Sequence, residues 1–260
     1  TTGKRNTAMG ANALDTATDG DDNVAIGYDA GTAITTASDN TVIGAYAGTA
    51  LNTGTANVAV GFEALKTEDA NGESVAIGYQ ALKTQNAGAS GLNVAVGYQA
   101  GTAVTTGVKN VIVGASAGVA LAGGANNTAV GYEALSTEDG HGNNTAIGYR
   151  ALKTLNAGAD AYNIGIGSDA GLSFTTGIRN VIIGGIAGDA LTDADFNIGI
   201  GYQSLTTDTK GSKSTAVGYR TLANQNFSTS TDSLNTAVGA DAGLSVTTGI
   251  QNTLIGAETG

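Results

Sequence analysis

Short apolar runs of β-branched residues and alanine recur along this chain about every 17 residues, and each ends in the same phrase. It reads Asn23-Val-Ala-Ile-Gly27, Asn57-Val-Ala-Val-Gly61, Asn93-Val-Ala-Val-Gly97, Asn144-Thr-Ala-Ile-Gly148 and Asn252-Thr-Leu-Ile-Gly256. Taking the glycine as origin, there are 15 copies, and Asn stands four residues earlier in 13 of them. Ser74 and Ser214 replace it in the other two. The residue three before is Val, Ile or Thr, two before is usually Ala, and one before is Ile, Val or Met. This alternation has period 2, so it predicts a strand of about five residues with branched side chains on one face and alanine on the other. The run is too short and too β-branched for a helix.

A fixed short period means stacked coils, each strand lying on its equivalent in the next. The predicted fold is therefore all-β: a parallel β-solenoid of about 15 coils with a 17-residue period. Stacked Asn side chains at 23, 40, 57, 93, 110, 127, 144, 163, 180 and 197 are expected to form an amide ladder along the axis, because each carboxamide both donates and accepts. The glycine row marks a bend that needs positive φ or close backbone approach. Both rows read as structural.

A longer period is superposed. Glycine spacings of 17 are interrupted by 19, 19 and 21 at every fourth coil. Residues 1–260 thus read as one continuous array of four-coil super-repeats beginning near 23, 93, 163 and 235. The first coil of each group runs into a double-threonine loop (Thr35-Thr36, Thr105-Thr106). The third runs into an acidic one (Thr67-Glu68-Asp69, Thr137-Glu138-Asp139, Thr207-Asp208). The position after the glycine carries Tyr28, Phe62, Tyr79, Tyr98, Tyr132, Tyr149, Tyr202 and Tyr219. Packing between coils or chains is the plainer reading of this row. The seven tyrosines are also candidates for stacking on the apolar face of a sugar.

Composition narrows the function. Aromatic residues make up only 5 % of the chain and there are 41 glycines, so the core is thin and built of small side chains. The absence of proline suits a chain whose coils are hydrogen-bonded throughout. With no cysteine, disulfide staples are ruled out. A net charge of −11 with scattered Lys and Arg argues against a nucleic-acid partner. No apolar run approaches the roughly 18 residues of a membrane span, so no membrane insertion is expected. His141 is the single histidine, too few for a multi-histidine metal site or a catalytic triad. Asp19-Gly20-Asp21-Asp22 matches neither an EF-hand nor a calcium-roll spacing and reads as a solvated loop rather than a Ca²⁺ site. The Gly165, Gly167, Gly171 cluster lacks the following helix of a dinucleotide loop. No cofactor, no metal and no enzymatic activity are expected.

The phrase N-[TV]-A-[IV]-G-Y-[QER]-A-[LG] resembles two repeat sets. One is the head repeat of YadA-type trimeric autotransporter adhesins, matched at Ser74-Val-Ala-Ile-Gly78 and Asn93-Val-Ala-Val-Gly97. The other is the repeat of phage and cyanophage tail fibres and large bacterial surface proteins, matched at Asn127-Thr-Ala-Val-Gly131-Tyr-Glu-Ala-Leu135. The resemblance covers essentially the whole chain. The adhesin heads have a shorter period than the 17 residues here, so the tail-fibre type is the nearer. The hexapeptide repeats of left-handed β-helix acyltransferases are a more distant likeness, because only one such hexapeptide occurs per coil here.

The resemblance implies a left-handed β-roll, a homotrimer, an extracellular place on a virion or bacterial surface, and a role in attachment to a host glycan or protein receptor. Fifteen coils would extend on the order of 70 Å. The chain is expected to be a piece of a longer fibre, with the Ala row three residues after the glycine allowing chains to approach closely. A structural filament or sheath subunit is one alternative. An ice-binding solenoid is another, weakened because the double-threonine loops recur only every fourth coil.

Overall fold

The computed structural model describes residues 2–70 and 72–260. The protein is an all-β parallel solenoid without a helix among the described residues, and none of it forms a helix long and apolar enough to cross a membrane. By its contacts the chain forms two compact units, Thr1–Asn127 and Thr128–Gly260. Unit 1 carries seven repeat strands, from Thr7–Met9 to Val111–Val113; unit 2 carries eight, from Thr128–Val130 to Thr253–Ile255. Unit 2 also holds a small parallel pair, Gly211–Ser212 with Thr231–Asp232. The repeat phrase itself runs through residues 127 and 128 unchanged.

Within each unit every strand pairs in parallel with its equivalent one coil on. Val24, Ala25 and Ile26 lie beside Thr41, Val42 and Ile43, and Ile164, Gly165 and Ile166 beside Val181, Ile182 and Ile183. The strands are three residues long rather than five. Backbone pairing extends one residue to each side, as in Val24 N to Asn40 O at 2.8 Å and Gly27 N to Met9 O at 2.8 Å. The chain then turns. Gly27 and its equivalents have φ between 127° and 140°, outside the region that an L side chain adopts, so the strand stops there.

Each coil turns at three further corners in the left-handed region. In the coil of Gly27 these are Asp22, Asp29 and Gly31, with φ of 58°, 53° and 58°. In the coil of Gly61, Leu65 takes the third corner at φ 49°. A non-glycine residue there costs about 1–2 kcal/mol. Leu65 is completely buried, and burying a leucine is worth about 1.5–3 kcal/mol, so burial outweighs the strained corner.

The core combines two rows made mostly of alanine with one or two larger side chains per coil. Ala25, Ala59 and Ala76 point inward from the strand, and Ala30, Ala47 and Ala64 from the turn three residues past the glycine; all are fully buried. This corrects the expectation that the second alanine row faces a neighbouring chain. The turn tucks it beneath the strand of its own coil, with Ala30 N 3.4 Å from Gly27 O. The β-branched residues flanking each inward alanine face outward instead.

The larger core side chain alternates between two positions. Where glycine occupies the third corner, the residue three further on fills the interior, as Ile34, Leu51, Val104, Leu121, Phe174 and Leu191 do. A Cβ on Gly31 would lie 2.8 Å from Ile34 Cδ1, and one on Gly171 2.6 Å from Phe174 Cδ2, so the corner must stay bare. Where leucine takes the corner, the later position is polar and buried at Glu68, Gln85, Glu138, Asp208 and Gln225; Leu155, buried, and Ala17, half-buried, are apolar there. The second coil of each group adds a buried branched residue in place of the strand alanine, Val42, Ile112 or Ile182, and the four-coil super-repeat is the glycine-or-leucine alternation taken in pairs.

Along the glycine row successive backbones are in close contact. A Cβ on Gly61 would approach the carbonyl oxygen of Gly78 to 2.3 Å. Gly61→Ala is therefore expected to destabilise the fold by about 3 kcal/mol or more through combined clash and backbone strain. Gly140→Ala, where nothing lies within 4 Å of the added atom, should be near neutral. Thermal melts followed by circular dichroism separate the two; equal melting points would show that the glycine row tolerates a methyl group.

Candidate functional surface

The Asn row lies inside. Asn40, Asn57, Asn93, Asn110, Asn163, Asn180 and Asn197 have no exposed surface, and Asn23, Asn127 and Asn144 are 1 % exposed. Each Oδ1 accepts from the backbone N–H of the next rung, as in Asn40 N to Asn23 Oδ1 at 3.1 Å and Asn57 N to Asn40 Oδ1 at 2.9 Å. Nδ2 of Asn23, Asn40, Asn93, Asn110, Asn163, Asn180 and Asn197 also reaches across the coil to a carbonyl fourteen residues on, as to Gly54 O from Asn40 at 2.9 Å and to Gly124 O from Asn110 at 2.8 Å. The carboxamide thus ties strand, next coil and far corner together. The cross-coil bond was not legible in the sequence, because its acceptor is a backbone atom with no side-chain signature.

The two serine rungs have a specific cause. Gln85 Nε2 donates to Ser74 Oγ at 2.9 Å and to Glu68 Oε2 at 3.0 Å, and its Oε1 accepts from Asn93 Nδ2 at 2.9 Å. Gln85 completes the ladder that the short serine cannot. Gln225 repeats this with Ser214, Asp208 and Asn235 at 2.9, 2.6 and 2.8 Å. In the middle group Leu155 replaces the glutamine, and the rung there is again an asparagine, Asn144. The residue pairs Ser74–Gln85, Ser214–Gln225 and Asn144–Leu155 change together.

The acidic third-coil position is accordingly a core residue, not a solvated one. Without a glutamine partner, Glu138 accepts from His141 N at 3.1 Å and Ala157 N at 3.2 Å. Ligand atoms of Glu138, Asp139 and His141 lie within 4.8 Å of one another, the one such group among the described residues. In Asp19-Gly20-Asp21-Asp22 each carboxylate is engaged from the preceding coil: Asp19 by Thr2 Oγ1 at 2.5 Å, Asp21 by Lys4 N at 2.6 Å, Asp22 by Arg5 Nε at 2.5 Å.

The tyrosines after the glycine row are outside, Tyr28, Tyr79, Tyr98, Tyr132, Tyr149, Tyr202 and Tyr219 each being 41–54 % exposed. Neighbouring rings cover part of their faces. Phe62 and Tyr79 stack with centroids 5.4 Å apart, Tyr79 and Tyr98 at 5.2 Å, Tyr132 and Tyr149 at 5.6 Å, Tyr202 and Tyr219 at 6.0 Å. Tyr46, one position later in its own coil, extends the first column edge-on between Tyr28 and Phe62. Arg150 lies over Tyr149 at 4.8 Å and Arg220 over Tyr219 at 5.5 Å. A Cβ on Gly185 would meet the Tyr202 ring at 3.4 Å. Along its length this column offers ring edges and hydroxyl groups, and faces without a ring partner where a stack ends, as at Tyr98 and Tyr132.

Beside the column runs the outward β-branched face. Ile77, Ile147, Val111, Ile198 and Val238 are 37–41 % exposed, a level at which flanking rows still shield part of each side chain. Ion pairs line the turns. Glu63 bridges Lys66 and Lys83 at 2.6 Å each, and Lys153 meets Glu133 at 2.6 Å. Hydrogen bonds from Lys66 and then Lys83 hold the Glu63 carboxyl down at about 2.

No protein-family model, curated protein or solved structure matches the chain.

Two measurements follow from this geometry. Gln85→Leu strips an amide from both Ser74 and Glu68 and should cost about 1–3 kcal/mol. Adding Ser74→Asn recreates the middle-group pairing and should recover much of it. A double-mutant cycle by chemical denaturation reads the coupling, and strict additivity would disprove the substitution of one rung for another. Glu63, whose carboxyl is depressed from 4.5 to about 2, contributes stability that is complete above pH 4.5 and is lost as pH falls toward 2. Wild-type protein should therefore lose more thermal stability over that window than Glu63→Gln, and added salt should narrow the difference; parallel pH profiles would contradict it.

Proposed function

We propose that this chain is a non-enzymatic segment of an extracellular attachment fibre and works as a homotrimer. The observation that carries this reading is the outward β-branched face, repeated on coil after coil within each unit and partly open to solvent. Scattered apolar residues are ordinary on a protein surface, whereas contiguous rows mark interaction surfaces. Covering this face with two further copies buries Val and Ile side chains that a thin alanine core leaves unused. The resemblance to tail-fibre and trimeric adhesin repeats supplies the threefold number and the extracellular place. The buried polar groups are spent on the ladder, where Asn, Gln, Glu and Asp side chains are hydrogen-bonded. What remains outside is a repeated display surface, suited to many weak contacts that add through avidity.

Light scattering on a sizing column tests the assembly. The expected mass is three times the 25.4 kDa chain. The pair Ile77→Lys and Ile147→Lys should reduce it to one chain without loss of β structure. A single-chain mass for the wild type overturns the trimer. Retention of labelled protein on intact bacterial cells and on glycan-coated surfaces tests attachment, and indifference to every surface would leave a structural filament in its place.

A further inference from the structure

The third four-coil group departs from the other two at one place on its surface. In the first group Lys83 crosses to Glu63, and in the second Lys153 crosses to Glu133, both at 2.6 Å. The equivalent residues in the third group are Ala223 and Gln203. Cation and carboxylate are lost together, and a hollow of about 370 Å³ opens where the lysine would lie. That volume is within the range of about 300–1,000 Å³ typical of small-ligand sites.

Its walls have a consistent character. Gln203 and Asn224 contribute carboxamides that make no hydrogen bond to other described residues, and Thr206 and Thr207 contribute hydroxyls. Thr206 Oγ1 donates to Asp189 at 2.6 Å, which fixes its orientation and leaves the oxygen able to accept. Ala223 and Leu244 add apolar surface. Arg220 is the sole cation of the lining and is matched by Asp241, 2.8 Å from its Nε. In the second group the equivalent Arg150 Nε makes a true hydrogen bond to Asp169 at 2.8 Å. In the third the pair is misaligned, and Arg220 Nε and Asp241 Oδ1 are buried without a hydrogen-bond partner. The guanidinium is held in place while its bonding capacity is not exhausted.

We propose that this hollow is a binding site for a neutral sugar ring, a hexopyranose unit of a glycan. Adjacent hydroxyls on such a ring both donate and accept, which the carboxamides match, while the oxygens of Thr206 and Thr207, whose protons go to Asp189 and to the Ala223 and Gln225 carbonyls, can accept. Its C–H face fits the Ala223 and Leu244 surface. A phosphate or acidic sugar finds only one cation here, already paired, on a chain of net charge −11. An apolar ligand would strand the amides. The site gives the attachment reading a ligand class and rests on that reading only for its biological use; binding itself requires neither a trimer nor a cell.

The test is saturation-transfer NMR with a panel of methyl hexopyranosides, on wild-type protein and on the double variant Gln203→Glu/Ala223→Lys. This variant rebuilds the ion pair that the first two groups carry, and Leu172 of the second group, equivalent to Leu244, coexists with Lys153, so the fold should persist with an unchanged melting point. Wild-type protein should transfer saturation to at least one glycoside, and the refilled variant should bind it at least tenfold more weakly in titration. The converse pair Glu133→Gln/Lys153→Ala, in the second group where Arg150 and Leu172 match Arg220 and Leu244, should open a second hollow and raise the number of sites. No transfer from wild-type protein to any glycoside, or equal transfer from the refilled variant, overturns the site. A chain that proves monomeric or fails to adhere to cells, but still loses glycoside binding when refilled, keeps the site and discards the attachment reading.

Discussion

Close contact between the backbones of successive coils sets the terms for everything else in this protein. At the glycine row a hypothetical Cβ meets the next coil's carbonyl at 2.2–2.6 Å, so the coils can stack in register only if that position is bare. In-register stacking then places like upon like, and each side chain must be compatible with a near copy of itself one strand spacing away. Asparagine satisfies this as a rung, because a carboxamide is its own partner. Alanine satisfies it as core, and tyrosine as an outer column of stacked rings. Lysine stacked on lysine would not, and the chain instead interleaves Lys66, Glu63 and Lys83.

The same constraint explains why so small a core holds many polar groups. Left-handed corners three times per coil turn the chain tightly, leaving room for little beyond alanine and one or two larger side chains. Desolvating a carboxylate or amide without a partner is costly. The buried Glu68–Gln85 and Asp208–Gln225 pairs are tolerated because every turn supplies donors and the neighbouring rung supplies the rest. In the middle group, where Leu155 removes the amide, Glu138 takes backbone N–H groups from its own turn and the next. The polar core is a connected network in which a change at one position is answered at another.

The proposed functions divide between the repeat itself and one departure from it. The outward Val and Ile rows are uniform and suit a partner as regular as the chain itself. The replacement of a lysine and a glutamate by Ala223 and Gln203 occurs once, on one group of coils, and suits a discrete ligand. These would be different kinds of recognition on different parts of the surface, and the proposed fibre, which would both assemble and attach, has use for each.

Much of this was legible in the sequence. The coil number, the period, the strand positions and the four-coil grouping follow from residue spacing, because stacking imposes the period directly on side-chain choice. The two serines in the asparagine row were visible as exceptions, yet the glutamine that completes each rung sits eleven residues on, and only the closed coil brings them together. Nor does local pattern say which side of a strand is enclosed when both alanine and valine are apolar. The sense in which the corners turn the chain decided that alanine lies within and the branched residues without. The hollow beside Arg220 is likewise a tertiary fact. Ala223 and Gln203 are unremarkable substitutions in the sequence, and become a cavity only because residues twenty positions apart in the chain lie side by side on adjoining coils.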